Sequence, residues 1–133
     1  MTEGYLTRFL YYSELNDGIK ISEIPKIVKL ARIFNNREKI TGILIFDGFR
    51  FVQYIEGPSD ALIQLSEKIS NDNRHRNFNV RLISHSNHSR IFNEWSLGYF
   101  IIEDHETLDF IKYLTGKNAL ERVINTIPKL DIV

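Results

Sequence analysis

The first part of the chain alternates between strand-like and helix-like patterns of apolar residues. Residues 6–13 (LTRFLYYS) place aromatic and leucine side chains on both faces, which is typical of a buried β-strand. A helix is predicted to begin after Ser22 as N-cap, to carry Pro25 in its first turn, and to end near Asn35 and Asn36. Apolar side chains recur along this helix every three or four residues, at Ile24, Ile27, Val28, Ala31 and Phe34.

A β-hairpin and a second helix are predicted next. Residues 40–46 (ITGILIF) and 50–56 (RFVQYIE) flank Asp47-Gly48, a dipeptide typical of tight hairpin turns. The first of these strands is almost continuously apolar, so we expect it to lie centrally in the sheet. The second helix is predicted to close at residues 71–73, and its apolar stripe consists of Leu62, Leu65 and Ile69.

Two more strands complete the predicted sheet. They are residues 79–84 (NVRLIS) and 95–102 (WSLGYFII), separated by a polar connection that contains His85 and His88. The resulting order, β-α-β-β-α-β-β, predicts an α+β fold with a ferredoxin-like sheet and one added strand. Because crossover connections are right-handed, both long helices should lie on one face of the sheet.

The C-terminal residues are predicted to cover the opposite face with two short helices. Asp104 can cap the first helix and Gly116 can end it, and the second lies before Pro128. We therefore divide the chain into residues 1–102, a sheet domain, and residues 103–133, a helical cap packed on that domain. The apolar positions of the cap are Leu108, Ile111, Leu114, Leu120, Val123, Ile124 and Ile127.

Composition excludes several classes of function. The 17 basic and 17 acidic residues cancel, which leaves no overall positive field for nucleic acid. The absence of cysteine excludes disulfides, thiolate metal sites and thiol nucleophiles. No stretch reaches the roughly 18 apolar residues of a membrane span, and the N-terminus lacks the order of a signal peptide. We therefore expect a single cytoplasmic domain of 133 residues that associates with neither nucleic acid nor membrane.

The sequence contains none of the common enzyme motifs, such as a phosphate loop, Gly-x-Ser-x-Gly or the zinc-protease helix. His85 and His88 have a metal-ligand spacing, but no third ligand is near, so a solvated loop is favoured over a metal site. A small hydrolase on the same scaffold, with Asn and Arg side chains stabilising a transition state, is a weak alternative because it lacks a glycine-rich anion cradle.

Gln53 is the most informative polar residue, because its strand is otherwise apolar and a buried amide must find hydrogen-bond partners. Strand alternation places Gln53 on the helix-covered face, where Tyr11 of the neighbouring strand should also point. On these grounds alone, a structural and a ligand-binding Gln53 are equally favoured. Asn35, at the end of the first helix, is either a C-terminal cap or a ligand group, and capping is favoured.

With these residues in place, the chain resembles the BLUF family, blue-light sensors that hold a flavin without a covalent bond. The resemblance covers roughly residues 6 to 100, and its separate stretches are specific only in combination. The matching stretches are Leu10-Tyr11-Tyr12-Ser13, Asn35 with Ile40-Thr41-Gly42, Phe51-Val52-Gln53-Tyr54-Ile55-Glu56-Gly57, Asp72-Asn73-Arg74-His75 and Arg90-Ile91-Phe92-Asn93-Glu94-Trp95-Ser96.

This resemblance implies a flavin, normally FAD with FMN or riboflavin as alternatives, between the two long helices. It implies that Tyr11 is the photochemical electron and proton donor, that Gln53 bridges Tyr11 and the flavin, and that Asn35 grips the ring. It further implies that Lys68 and His75 lie beside the flavin. The alternative for both residues is a solvated surface position. Ile27 and Ile40 would form apolar walls, and Trp95 matches the fifth-strand tryptophan, although a core aromatic needs no functional reason.

Two positions depart from the family pattern. Leu97 stands where many members carry Met, which puts signal transmission to the fifth strand in doubt more than flavin binding. Lys68 replaces the frequent Arg, so the charge is kept but the planar fork is lost.

The leading hypothesis is therefore a blue-light receptor that catalyses no net reaction. We expect it to form a homo-oligomer and to signal to a separate partner protein. The main alternative is a flavin-free interaction module on the same scaffold.

Overall fold

The computed structural model describes residues 5–87 and 89–127. Its sheet consists of five strands, and helices pack on both faces. The strands are β1 (Leu6–Leu15), β2 (Thr41–Phe46), β3 (Arg50–Pro58), β4 (His75–Ser86) and β5 (Gly98–Ile101). The helices are α1 (Ile24–Arg37), α2 (Ser59–Ser70) and α3 (Gly116–Thr126), with short 3₁₀ helices at Ile21–Glu23 and Asp109–Lys112.

The strands lie in the order β4-β1-β3-β2-β5. The first four form the antiparallel ferredoxin-like sheet that the sequence predicts, and β5 is the added strand, parallel to β2. The apolar strand β2 is an interior strand between β3 and β5, but the centre of the sheet is β3. This central strand is the one that carries Gln53.

The turn between β2 and β3 is fixed by Asp47 and Gly48. The Asp47 carboxylate Oδ1 accepts hydrogen bonds from the backbone N–H groups of Phe49 (3.0 Å) and Arg50 (2.6 Å). Gly48 has a φ of +93°, a conformation that glycine adopts without steric cost. These contacts set the register in which Leu44 faces Gln53 across the two strands.

The two faces of the sheet are covered as predicted. On one face α1 packs against β2 and β5, and α2 packs against β1 and β3. On the other face the 3₁₀ helix Asp109–Lys112 and α3 pack against a continuous apolar cluster of strand residues.

Three boundaries differ from the predictions. Strand β4 runs from His75 to Ser86, so His85 lies in a strand and not in a loop. The first cap helix is only the 3₁₀ turn Asp109–Lys112, and Gly116 begins α3 instead of ending the helix before it. Strand β5 begins at Gly98, three residues after its predicted start.

Candidate functional site

A cavity of about 320 Å³ lies on the face covered by α1 and α2. This volume falls within the usual size range of small-molecule sites. Its walls are apolar side chains from both helices and from the strands beneath them, including Ile27, Val28, Leu44, Phe51, Leu65 and Leu97. Polar side chains converge on it as well, and these are Tyr11, Asn35, Gln53, Lys68, Asp72, Arg74 and His75.

Tyr11 and Gln53 lie directly opposite each other in the β1–β3 ladder, and both side chains face the cavity. The phenol Oη of Tyr11 donates a hydrogen bond to Oε1 of Gln53 across 2.5 Å. Their predicted shared face is therefore confirmed. Because the amide oxygen of Gln53 is engaged by the phenol, its NH₂ group is the end left to donate to a molecule in the cavity.

The Tyr11 phenol is held in its protonated form. Burial raises the pKa of this side chain well above its ordinary value of 10.0, and the negative charge of Asp72 adds to the shift. Loss of the proton alone would leave a phenolate in a poorly solvated site. The hydrogen bond to Gln53 is thus donated by a phenol that keeps its proton at neutral pH.

Asn35 is fully buried near the end of α1, where its side chain does not cap the helix. Its Nδ2 instead donates to the carbonyl oxygen of Ser96 at 2.8 Å. Its Oδ1 is buried and accepts no hydrogen bond from the residues that the structure describes. An unpartnered buried oxygen costs on the order of 1 to 3 kcal/mol. The favoured interpretation as a cap is therefore wrong, and Oδ1 is free to accept a hydrogen bond from a ligand.

His75 and Lys68 both line the cavity. The Nε2 of His75 lies 2.5 Å from the carbonyl oxygen of Ile69, which can only accept, so Nε2 carries a proton. Its Nδ1, 2.7 Å from Ser13 Oγ, can then accept from that buried hydroxyl. Lys68 Nζ lies 5.0 Å from the centre of the Phe34 ring, a cation–π distance. His75 is therefore anchored and not a solvated surface group.

Leu97 lines the cavity, whereas Trp95 lies on the opposite face of the sheet. The Trp95 ring stacks on Phe92 at 5.9 Å and meets Phe100 edge-on at 5.7 Å. A regular strand would point residues 95 and 97 to the same face, so the predicted strand start at Trp95 is wrong. Gly98 makes room for the tryptophan, because a Cβ there would lie 2.8 Å from its ring.

The α1 helix holds this irregular stretch in place. Arg32 Nε donates to the carbonyl oxygen of Leu97 at 2.9 Å, beside the contact between Asn35 and Ser96. Side chains of α1 thus bond to the carbonyl groups of Ser96 and Leu97, while the carbonyl oxygen of Trp95 accepts from Gly42 N at 3.0 Å. At Ser96 and Leu97, these contacts with α1 take the place of the predicted strand pairing.

Of the two predicted apolar walls, Ile27 lines the cavity. Ile40 is buried in a cluster with Tyr11 and Leu62 and is not among the lining residues. No role in the site was predicted for Ser13, the buried partner of His75, although strand alternation places it on the same face as Tyr11. Four residues of the predicted apolar helix faces, namely Val28, Ala31, Leu65 and Ile69, also line the cavity, although the pattern predicted only their burial.

The predicted metal alternative finds no support in the part of the chain that the structure describes. His85 Nδ1 bonds to Thr7 Oγ1 at 2.6 Å, and His88 lies outside the described residues. Residues 5–87 and 89–127 contain no group of three or more potential metal ligands. No helix among them is long and apolar enough to cross a membrane.

The cavity suits a flat heteroaromatic ring with polar edges. Apolar side chains from two helices can contact the faces of such a ring, while Gln53 offers a donor and Asn35 Oδ1 an unpartnered acceptor at its edge. Lys68 adds positive charge to the same lining, in which the guanidinium of Arg74 is paired with the carboxylate of Asp72. A flavin, with its apolar ring system, carbonyl and N–H edge and phosphorylated tail, fits this set of groups.

Comparisons with known proteins agree with this assignment. The model of the BLUF family, described as sensors of blue-light using FAD, matches residues 6–98. The blue light- and temperature-regulated antirepressor BluF of Escherichia coli (strain K12) is 30% identical over 114 residues. The match covers 86% of this chain but only 28% of that protein.

Solved structures show the same fold. The dark-state structure of BlrB, a BLUF protein, superposes with a TM-score of 0.79 at 29% identity and covers 95% of this chain and 97% of its own. Klebsiella pneumoniae BlrP1, determined with FMN and cyclic diGMP, gives a TM-score of 0.70 at 26% identity, covering 92% of this chain and 34% of that one.

Proposed function

The chain belongs to the BLUF family, the flavin-binding sensors of blue light, and we propose on that premise that its cavity binds one flavin non-covalently as a light-sensing chromophore. The observation that carries the proposal is the hydrogen bond from Tyr11 to Gln53 at the cavity, beside the unpartnered Oδ1 of Asn35. In this proposal these three side chains bind the edge of the flavin ring, residues such as Ile27 and Leu97 contact its faces, and His75 and Lys68 flank it.

When bound, the flavin absorbs blue light and, once excited, can accept an electron and then a proton. Tyr11 is suited to supply both, because its phenol is protonated in the dark and already directs its proton toward Gln53 Oε1. A phenol that loses an electron becomes a strong acid, so its proton can move along this hydrogen bond. Gln53 can take part because its neutral amide both donates and accepts.

The stored signal, in this proposal, is a changed orientation or tautomer of the Gln53 amide. Exchange of its NH₂ and oxygen ends alters which group it presents to the cavity. Each rearranged hydrogen bond is worth on the order of 1 kcal/mol, so the conformational response is a shift in populations and not a refolding. The chain then catalyses no net reaction.

We further propose that FAD is the flavin, that residues 1–102 are the sensor, and that residues 103–133 form a cap on it. Lys68 can bind the phosphates of FAD or FMN, which riboflavin lacks. The FMN in the BlrP1 structure makes FMN the nearest alternative. Extraction of the bound flavin followed by chromatography against the three standards decides among them.

We further propose that the receptor is a homo-oligomer. Its signal goes to a separate protein. The chain spans about a quarter of the length of its Escherichia coli relative, whose name describes an antirepressor. Signalling by contact with another protein is the corresponding proposal for this chain.

A spectroscopic experiment tests the light-sensing function. The purified protein, loaded with FAD, should absorb blue light and show a small red shift under illumination that reverses in the dark. Tyr11→Phe should abolish the shift and leave flavin binding intact, because it removes the hydroxyl that bonds to Gln53 and keeps the aromatic ring. Tyr12→Phe is the matched control, since Tyr12 contacts Arg81 and not the cavity.

Two results would contradict the proposal. A protein that cannot be loaded with any flavin would favour the flavin-free interaction module. A normal reversible shift in Tyr11→Phe would remove Tyr11 from the photochemistry.

A further inference from the structure

Glu56 is a fully buried carboxylate on the face of the sheet opposite the cavity. It lies on β3 three residues after Gln53, so strand alternation directs the two side chains to opposite faces. A buried charge is costly unless it is paired and hydrogen bonded. Glu56 meets both conditions: Oε1 accepts from Tyr54 Oη at 2.9 Å and lies 3.9 Å from Arg8 Nε, and Oε2 accepts from a backbone N–H group.

That backbone group belongs to Phe92, and the distance is 2.7 Å. Phe92 is part of residues 90–97, which we call the crossing segment because its side chains reach both faces of the sheet. The start of this segment is held by Arg90, which donates to Thr41 Oγ1 at 2.9 Å and to the carbonyl oxygen of Lys39 at 2.7 Å. Glu56 thus anchors the part of the segment that lies far from the cavity.

The other end of the crossing segment reaches the cavity. Its carbonyl oxygens at Ser96 and Leu97 accept hydrogen bonds from Asn35 and Arg32 of α1, and the Leu97 side chain lines the cavity. Between the two ends, the carbonyl oxygen of Trp95 accepts from Gly42 N at 3.0 Å. A displacement that begins at Asn35 therefore meets this segment first at Ser96.

We propose that Glu56 is a positioning residue for the output of the sensor: its bond to Phe92 N–H fixes the crossing segment, so that a change at Ser96 and Leu97 moves Trp95 on the opposite face. Without that bond, residues 90–95 can shift independently, and the displacement does not reach Trp95. This inference rests on the proposed light-sensing function, because the displacement originates at the flavin site.

Trp95 is the only tryptophan of the chain, so tryptophan fluorescence reports on the crossing segment directly. Glu56→Leu removes every acceptor atom and should increase the acrylamide quenching constant of Trp95 at least twofold in the dark. Glu56→Gln keeps one acceptor oxygen and should restore a value close to the wild type. The matched control is Tyr54→Phe, which deletes another partner of the same carboxylate and should leave quenching unchanged.

The same samples test the link to light. The flavin red shift should keep its amplitude in all three variants, because none of these residues lines the cavity. In wild-type protein, the acrylamide quenching constant of Trp95 should change under continuous blue light. NMR hydrogen exchange of the Phe92 amide should stay slow in the dark and in the light, because its bond to Glu56 must hold while Trp95 moves. Neither measurement needs a variant, so both hold even if Glu56→Leu fails to fold.

The possible failures are distinguishable. A wild-type protein without a red shift overturns the proposed function and the role of Glu56 with it. A normal red shift with Phe92 exchange that accelerates in the light, with wild-type Trp95 quenching that does not respond to light, or with Trp95 quenching unchanged in folded Glu56→Leu, overturns the role of Glu56 alone.

Discussion

The two faces of the sheet are built from the same alternating strands but are filled differently. On the face covered by the 3₁₀ helix Asp109–Lys112 and α3, which we call the cap face, strand residues such as Ile45, Tyr54 and Phe100 pack with Leu108 and Val123 in one continuous apolar cluster. On the other face, which we call the cavity face, the core divides into a cluster under α1 and another under α2. The cavity is lined by members of both clusters.

This difference separates stability from ligand binding within one small domain. A continuous cluster gains dispersion contacts and excludes water throughout, whereas atoms that border an open cavity lack neighbours on one side. We infer that the cap face contributes most of the folding free energy. The cavity face keeps open space and the unpartnered Oδ1 of Asn35 for a ligand.

The largest expected effect is a difference between two equivalent truncations. Leu108→Ala should lower the free energy of unfolding by about 4 kcal/mol, near the upper end of the range for buried leucines, because Leu108 is completely enclosed in the cap-face cluster. Leu44→Ala should cost about 2 kcal/mol in flavin-free protein, because Leu44 already borders the cavity. Urea titration of both variants measures the two values, and equal costs would refute the distinction between the faces.

The element order could be predicted because the signals that encode it are local. Helix and strand periods and the Asp47-Gly48 turn are local signals, and the structure follows them through β1, α1, β2, β3 and α2. The pairing of Tyr11 with Gln53 follows from alternation and strand order, which are also encoded in the pattern.

The failures arise where long-range contacts override local pattern. The apolar run from Trp95 to Ile102 is a good strand sequence, but side chains of α1 capture the carbonyl groups of Ser96 and Leu97. No local signal carries that information. The wrong interpretation of Asn35 as a cap has the same cause, because its position near the helix end gives no information about a partner 61 residues away in the chain.

Asn35 offers the next test, on the cavity face. Asn35→Ala removes the acceptor Oδ1 and the donor to Ser96, so flavin affinity should fall about tenfold, equivalent to roughly 1.4 kcal/mol. The exposed neighbour Asn36, replaced by Ala, is the control and should bind flavin normally. Fluorescence titration of apoprotein with FAD gives both dissociation constants, and equal affinities would exclude Asn35 from the binding site.

The smallest effect expected is a shared response of the two faces to alkaline pH. Burial raises the pKa of Tyr11 on the cavity face and of Tyr54 on the cap face, and Glu56 adds to the Tyr54 shift. Groups with a raised folded-state pKa contribute stability that is fully present below the unfolded value of 10.0 and is lost as pH rises above it. Each tyrosine should therefore cost about 1 kcal/mol of stability between pH 10 and pH 11.

Urea titrations at pH 9 and pH 11 measure this loss. Tyr11→Phe and Tyr54→Phe should each reduce the alkaline loss of stability, since phenylalanine has no proton to release, while Tyr113→Phe at an exposed position should leave it unchanged. If only Tyr54→Phe has this effect, water reaches Tyr11 through the open cavity and solvates its phenolate. The filled and unfilled faces would then differ in how they protect a buried phenol as well as in how they pack.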